Sequence, residues 1–191
     1  MSGRESYHHG DLRKALLDAA LEIVAESGLD ALGLRAVAAR AGVSHAAPAH
    51  HFPTLKHLLT ALAAIAFERL RATLLEDIAR APGDVRGMLA GAGDGYVRFS
   101  RENPHLFRLM FSASQLNWDD PNLQESARGA YAPLADTCVR VAQARDEASP
   151  EAQRRLELLV WSCVLGYAHL QRAGQLHDRP ARPDLESLLL G

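Results

Sequence analysis

Residues 31–67 form a stretch of the chain that contains no acidic side chain. Its formal charges are the positive charges of Arg35, Arg40 and Lys56, and four histidines between residues 45 and 57 can add partial positive charge. Such a surface does not repel phosphate groups, so this composition favours contact with the backbone of a nucleic acid.

The local structure that must position these side chains is a turn at residues 42–44. A helix over residues 34–41 has to end at Gly42 in a left-handed conformation that a Cβ would penalise. Val43 can fill the angle between two helices, and Ser44 is a suitable N-cap for the next one. This is the pattern of a helix-turn-helix, although ordinary helical hairpins that bind no DNA use the same turn.

The recognition helix of such a motif begins at His45 or nearer to Ala47, because Pro48 removes a backbone donor and disfavours helical geometry in the residue before it. In both cases histidine and alanine side chains follow the turn. Histidine suits the acceptors of guanine, and an alanine methyl group suits the methyl group of thymine. The residues predicted to contact DNA are Arg35, Arg40, Ser44, His45, Ala46, Ala49, His50 and Lys56.

The composition of the whole chain indicates a cytoplasmic globular protein. The chain has 191 residues, of which 48% are hydrophobic, and this is enough for a substantial core. It has no apolar run of membrane-spanning length, so we expect no membrane partner, and it begins without the apolar stretch of a signal peptide. Cys138 and Cys163 lack the spacing of a disulfide framework, and the net charge of −2 argues against a wholly basic nucleic-acid binder.

The sequence contains no recognisable catalytic or metal-binding motif. The four histidines between residues 45 and 57 do not align on one helix face and have no carboxylate close in sequence, so we predict no metal site. Gly91, Gly93 and Gly95 follow no strand and surround Asp94, so close helix packing or a kink explains them better than a phosphate loop. Because no nucleophile lies beside an evident base, we predict neither an enzyme nor a cofactor.

Helical periodicity runs through the chain, and no segment alternates apolar and polar residues over the length of a strand. Asp84 and Ser149-Pro150 are helix-start signals, and Gly28 and Gly174 are stop signals. The sequence therefore predicts an all-α protein.

The helix predicted over residues 150–174 is apolar on both sides. One stripe contains Leu156 and Val160, and a second contains Leu158 and Trp161. A helix that is apolar nearly all round must be covered, and in a chain of this size we expect a second subunit to cover the second stripe. The prediction is a homodimer, and the alternative is a core helix enclosed within a single chain.

Large side chains are concentrated where the helices after residue 54 must converge. Aromatic clusters fill cores more often than they line cavities, but they also form the walls of apolar ligand pockets. The residues predicted to contact a small, largely apolar ligand are Phe67, Phe99, Phe107, Phe111, Trp118, Tyr131, Trp161 and His169. Tyr96, Met110 and Tyr167 belong to the same group, and His169 and Arg108 are its candidate polar anchors.

Several short sequences in the chain match one known family. In the first third they are YHHGDLR at residues 7–13, AGVS at 41–44 and HF at 51–52, followed by Leu58-Leu59. In the remainder they are YVRF at 96–99, ENP at 102–104, LFRLMF at 106–111 and WS at 161–162, with Gly166. The first set resembles the DNA-binding domain of TetR-family transcriptional regulators, and the second is similar to the WHG-type C-terminal domains of that family.

The resemblance implies a homodimer with about nine helices per chain. A three-helix helix-turn-helix head, residues 1–53, would bind double-stranded operator DNA, and a larger body, residues 54–191, would bind a ligand and dimerise. The function implied is a repressor that a small-molecule effector releases. The chain departs from the family at Gly33, Ala49 and Leu55, where a Ser or Thr cap, a tyrosine and a lysine are usual. The alternative is a helical ligand-binding or interaction protein whose head has lost tight DNA binding.

Overall fold

The computed structural model describes residues 9–147, 149–176 and 184–190, with side chains from residue 12 onward. These residues form eight α-helices and two short 3₁₀ turns, and they contain no strand. The helices are α1 (His9–Ser27), α2 (Leu34–Arg40), α3 (Leu55–Arg80), α4 (Val85–Glu102), α5 (Pro104–Met110), α6 (Pro121–Ala144), α7 (Pro150–Arg172) and α8 (Leu185–Leu190). The predicted all-α fold is confirmed. None of the described helices combines the length and apolarity needed to cross a membrane.

Most helix ends lie where local signals predict them. α1 stops before Gly28, whose φ of 79° is left-handed. Asp84 caps α4 because its carboxylate accepts a hydrogen bond from the Gly87 N–H at 2.7 Å. Ser149 caps α7 in the same way, by accepting from the Ala152 N–H at 3.2 Å.

The turn after α2 has the predicted geometry. Gly42 has a φ of 67°, and the Val43 N–H donates to the Ala38 carbonyl at 3.0 Å across it, which is the bond that closes a helix in a Schellman turn. Val37 and Ala38 are fully buried against α1, and Val43 packs against the edge of the same core.

The element after this turn corrects two predictions. Residues Ala47–His50 form a single 3₁₀ turn instead of a recognition helix, which is why the described residues contain eight α-helices and not about nine. Ser44 makes no side-chain cap; its carbonyl accepts from the Ala47 N–H at 3.0 Å. The cause is Pro48, which supplies no N–H to an α-helical ladder and is itself buried, so the chain turns tightly around it.

The body is organised around the crossing of α3 and α4. Gly91 and Gly95 face the backbone of α3, and a Cβ added at Gly91 would lie 2.7 Å from the Asp77 carbonyl oxygen. Arg98 of α4 joins the two helices at the same crossing, because its Nε and Nη2 donate to the two carboxylate oxygens of Asp77 of α3 at 3.0 Å each. Close helix packing therefore explains these two glycines, as predicted.

Helix α7 buries one face and leaves the other uncovered. Val160 and Val164 lie in the core, whereas Leu158 and Leu170 are 61% and 46% exposed. The single chain therefore does not enclose this helix, and the alternative of a core helix within one chain is wrong.

Candidate DNA-binding surface and ligand cavity

All eight residues predicted to contact DNA are exposed. They lie on α2, in the segment from the Gly42 turn through the 3₁₀ turn, and at the start of α3. Arg35 and Lys56 make no ion pair with any described residue. Both positive charges are therefore available to an anionic partner.

Arg40 is engaged by two acidic residues of α1. Its Nη2 lies 2.7 Å from Glu26 Oε2, and its Nη1 lies 3.3 Å from Glu22 Oε2. The hydrogen bond and charge of the Arg40 guanidinium lower the pKa of the Glu26 carboxyl. The stretch 31–67 is thus free of acids in sequence but not in space, because helix packing places these two carboxylates beside it.

The exposed side of the 3₁₀ turn over Ala47–His50 is short. Ala49 and His50 project outward from the 3₁₀ turn, while Pro48 anchors it in the core next to Phe52. The Arg13 guanidinium lies over the Phe52 ring at 5.5 Å, which fixes α1 against the end of the turn. The inner side of the turn is therefore packed against the core, and its outer side is exposed to solvent.

The body contains a cavity of about 570 Å³ between α3, α4, α6, α7 and the end of α5, a volume typical of small-molecule sites. Five of the eight residues predicted to contact a ligand line it. They are Phe67, Phe111, Trp118, Tyr131 and Trp161. Two aromatic pairs form part of its walls. The ring centroids of Phe67 and Trp118 lie 6.2 Å apart and those of Tyr131 and Trp161 lie 5.9 Å apart, both in edge-to-face geometry.

The other three predicted ligand contacts lie outside the lining of this cavity. Phe99 and Phe107 are fully buried and fill the core behind it. His169 is exposed on α7, with its ring 5.4 Å from that of Phe107. Arg108, the second candidate anchor, lies 3.8 Å from Asp30 of the head instead. The sequence could not separate these residues because all share the helical spacing of a core.

Other lining residues were not singled out from the sequence. Leu70 and Leu74 follow Phe67 by three and seven positions, so helical spacing from Phe67 could have identified them. Arg128 lies one helical turn before Tyr131 on α6 and is the charged residue in the lining. No signal in the sequence distinguished it from other surface arginines.

The two tyrosine hydroxyls of the lining differ in their hydrogen bonding. The Tyr131 hydroxyl donates to Glu157 Oε2 at 2.8 Å, so its hydrogen already has an acceptor. The Tyr96 hydroxyl is buried, and its O–H has no acceptor among the described residues. Burial raises the pKa of Tyr96 and outweighs the opposite effect of the nearby Trp161 indole, so this phenol stays protonated.

The described residues contain no cluster of three or more His, Cys, Asp or Glu side chains arranged around a metal position. Cys138 is a buried free thiol, and burial raises its pKa to about 12, so the thiol is protonated near neutral pH. The described residues thus present an exposed basic segment and an apolar cavity.

Comparison with known proteins agrees with both features. Residues 16–62 match the family model for bacterial regulatory proteins of the tetR family, and residues 89–189 match the model for a tetracyclin repressor-like C-terminal domain. No curated protein matches the chain.

Solved structures extend the comparison over nearly the whole chain. A protein of unknown function from Rhodococcus sp. RHA1 is 31% identical, with a TM-score of 0.79 over 97% of this chain and 95% of that one. A transcriptional regulator from the same organism is 26% identical, with a TM-score of 0.59 over 93% and 95%. A TetR-family regulator from Marinobacter aquaeolei VT8, 22% identical with a TM-score of 0.63 over 93% and 92%, shares the fold. Because the two family models cover the head and more than half of the chain, this protein belongs to the TetR family of transcription regulators.

Proposed function

We propose that this regulator is a repressor that binds a near-palindromic operator as a homodimer and releases it when a small, largely apolar molecule enters the cavity. The head, residues 1–53, would hold the DNA, and the body, residues 54–191, would bind the effector and dimerise. The finer assignment of the body to the WHG type belongs to this proposal and is supported by the Trp161-Ser162 pair and Gly166.

The observation that carries the proposal is that two helices of the cavity wall also reach the head. α3 begins with Leu58 and Leu62 buried in a core shared with α1, and continues to Phe67 and Leu74 at the cavity. A ligand that moves the wall of α3 therefore acts on a helix that supports the head.

Helix α5 supplies a second connection. Met110, at its end, lines the cavity, while His105, near its start, packs against Gly28 at the end of α1. A Cβ added at Gly28 would lie 3.1 Å from His105 Cε1. The two ends of this short helix thus contact the ligand site and the head respectively.

Dimerisation is supported by the uncovered face of the C-terminal helices. Leu158 and Leu159 of α7 and Leu188 of α8 are exposed by 61%, 43% and 61%. These leucines lie on the last two helices that the structure describes, and large apolar side chains with this much exposure are expected where a partner covers the surface. Family resemblance assigns that role to the same helices.

A second candidate function is favoured by the weakness of the head. Arg40 is paired with α1, the recognition element is one 3₁₀ turn, and Ala49 and Leu55 stand where the family has phosphate-binding side chains. A protein of this kind would sense the ligand and bind DNA only non-specifically.

A mobility shift with the region that flanks the gene for this chain separates the two candidates. A repressor should give a saturable complex that survives competitor DNA, and its affinity should fall with salt according to the number of phosphates contacted. Binding that competitor DNA removes at equal mass would support the second candidate. A scrambled fragment of the same length and base composition is the control.

A further inference from the structure

The cavity lining contains two polar groups with no partner and no acidic residue. The Tyr96 hydroxyl is the first: the residue is only 4% exposed and its O–H has no acceptor among the described residues. The guanidinium of Arg128 is the second, since it makes no ion pair or hydrogen bond with any described residue. The protein therefore supplies the apolar walls of the cavity but no partner for these two polar groups.

The buried hydroxyl indicates a ligand with an oxygen acceptor in its interior part. An unpaired buried donor is costly, and the structure offers Tyr96 no protein acceptor. The neighbouring Tyr131 is not in the same position, because Glu157 accepts its hydrogen bond. A carbonyl or ether oxygen in a ligand would satisfy Tyr96 without adding charge to the apolar core.

The charge at the cavity edge indicates the sign of the ligand. Arg128 is exposed on α6, so it lies where the cavity meets solvent, and no Asp or Glu is among the lining residues. Glu157, outside the lining, accepts the hydrogen bond of Tyr131. A cationic ligand would meet a like charge here, whereas a carboxylate can pair with the guanidinium.

We propose that the effector is an apolar monocarboxylic acid that carries one oxygen acceptor in its body. Its carboxylate pairs with Arg128 at the edge, its acceptor receives the Tyr96 hydrogen bond, and the aromatic walls enclose the remainder. This inference rests on the proposed function, because only that function makes the ligand an effector. The binding that it predicts does not depend on DNA.

The test uses three probes with one body and different head groups: 6-phenylhexanoate, 6-phenylhexan-1-ol and 6-phenylhexylammonium. Binding to the full chain is measured by titration calorimetry. Both tryptophans of the chain, Trp118 and Trp161, line the cavity, so a change in tryptophan fluorescence reports that a probe is bound there. The carboxylate should bind about tenfold or more tightly than the alcohol, and the ammonium most weakly.

Two variants locate the charge preference. Arg128→Gln should bring the carboxylate and the alcohol to similar affinity. Arg140→Gln removes the same charge from an exposed position of α6 outside the lining and should leave the preference intact. A preference that survives in Arg128→Gln, an alcohol or ammonium that binds as well as the acid, or no binding by any probe would overturn the proposal.

The acceptor is tested with 6-oxo-6-phenylhexanoate, which adds one ketone to the first probe. It should bind more tightly than 6-phenylhexanoate to the natural chain, by about threefold to tenfold, and Tyr96→Phe should abolish that gain. Tyr96→Phe removes only the hydroxyl, so the binding of 6-phenylhexanoate controls for the shape of the cavity. A gain that persists in Tyr96→Phe, or no gain in the natural chain, would contradict the role of Tyr96. A chain that binds the acid but fails the mobility shift would count against the repressor function alone.

Discussion

The crossing of α3 and α4 should not tolerate a single methyl group at Gly91. In Gly91→Ala the new Cβ would lie 2.7 Å from the Asp77 carbonyl oxygen and 2.8 Å from Ile78 Cα. These are backbone atoms of α3, so no side chain can rotate away, and the two helices have to separate. Tyr96 lies on the same helix beyond this contact, so the cavity wall should move with it.

The net effect is the difference between two terms. Alanine in a helix interior is favoured over glycine by about 1 kcal/mol, whereas overpacking a closed core costs about 1–3 kcal/mol. With three backbone atoms of α3 within 2.9 Å, we expect the upper part of that cost and a net loss of about 1–2 kcal/mol. For a chain of this length the midpoint of thermal unfolding should fall by about 2–8 °C.

Gly129→Ala on α6 is the matched control. Its Cβ would meet only Arg71, whose Cδ and Nη1 would both lie 3.7 Å away, so the helix-propensity gain of up to about 1 kcal/mol should remain. Thermal and urea unfolding followed by circular dichroism at equal protein concentration measure both variants. Gly91→Ala should also weaken binding of 6-phenylhexanoate. The reasoning would be refuted if Gly91→Ala were as stable as the natural chain, or if both variants shifted in the same direction.

Three further predictions concern assembly and DNA. Leu170→Glu should yield a monomer by light scattering and lose operator binding, because an unpaired carboxylate in the proposed interface costs about 3–5 kcal/mol; a variant that stays dimeric would place the interface elsewhere. Arg35→Ala should weaken binding to all DNA sequences and reduce the salt slope by about one, whereas His50→Ala should change which bases are preferred, as measured on a randomised operator library; the same effect from both would contradict their assigned roles. Leu55→Lys should tighten binding by about 1 kcal/mol in fluorescence anisotropy titrations, and unchanged or weaker binding would mean that this head docks differently from its family.

The sequence determined the features that depend on a few neighbouring residues. The left-handed turn at Gly42, the Asp84 and Ser149 caps, and the all-α fold follow from backbone sterics and from hydrogen bonds between residues at most five positions apart. Pro48 belongs to the same class: its effect on the recognition element was visible in sequence, although whether the turn would extend into a helix was not.

Only the tertiary structure decided which positive charges are left unpaired and which aromatic rings line the cavity. Arg40 is removed from the basic segment by Glu22 and Glu26, which lie 18 and 14 positions earlier in the chain. Phe107 fills the core and Phe111 lines the cavity, although both are aromatic and one helical turn apart. A periodic pattern identifies the buried face of a helix, but whether that face meets a side chain, an empty volume or a carboxylate depends on residues distant in sequence, and only the packed chain brings them together.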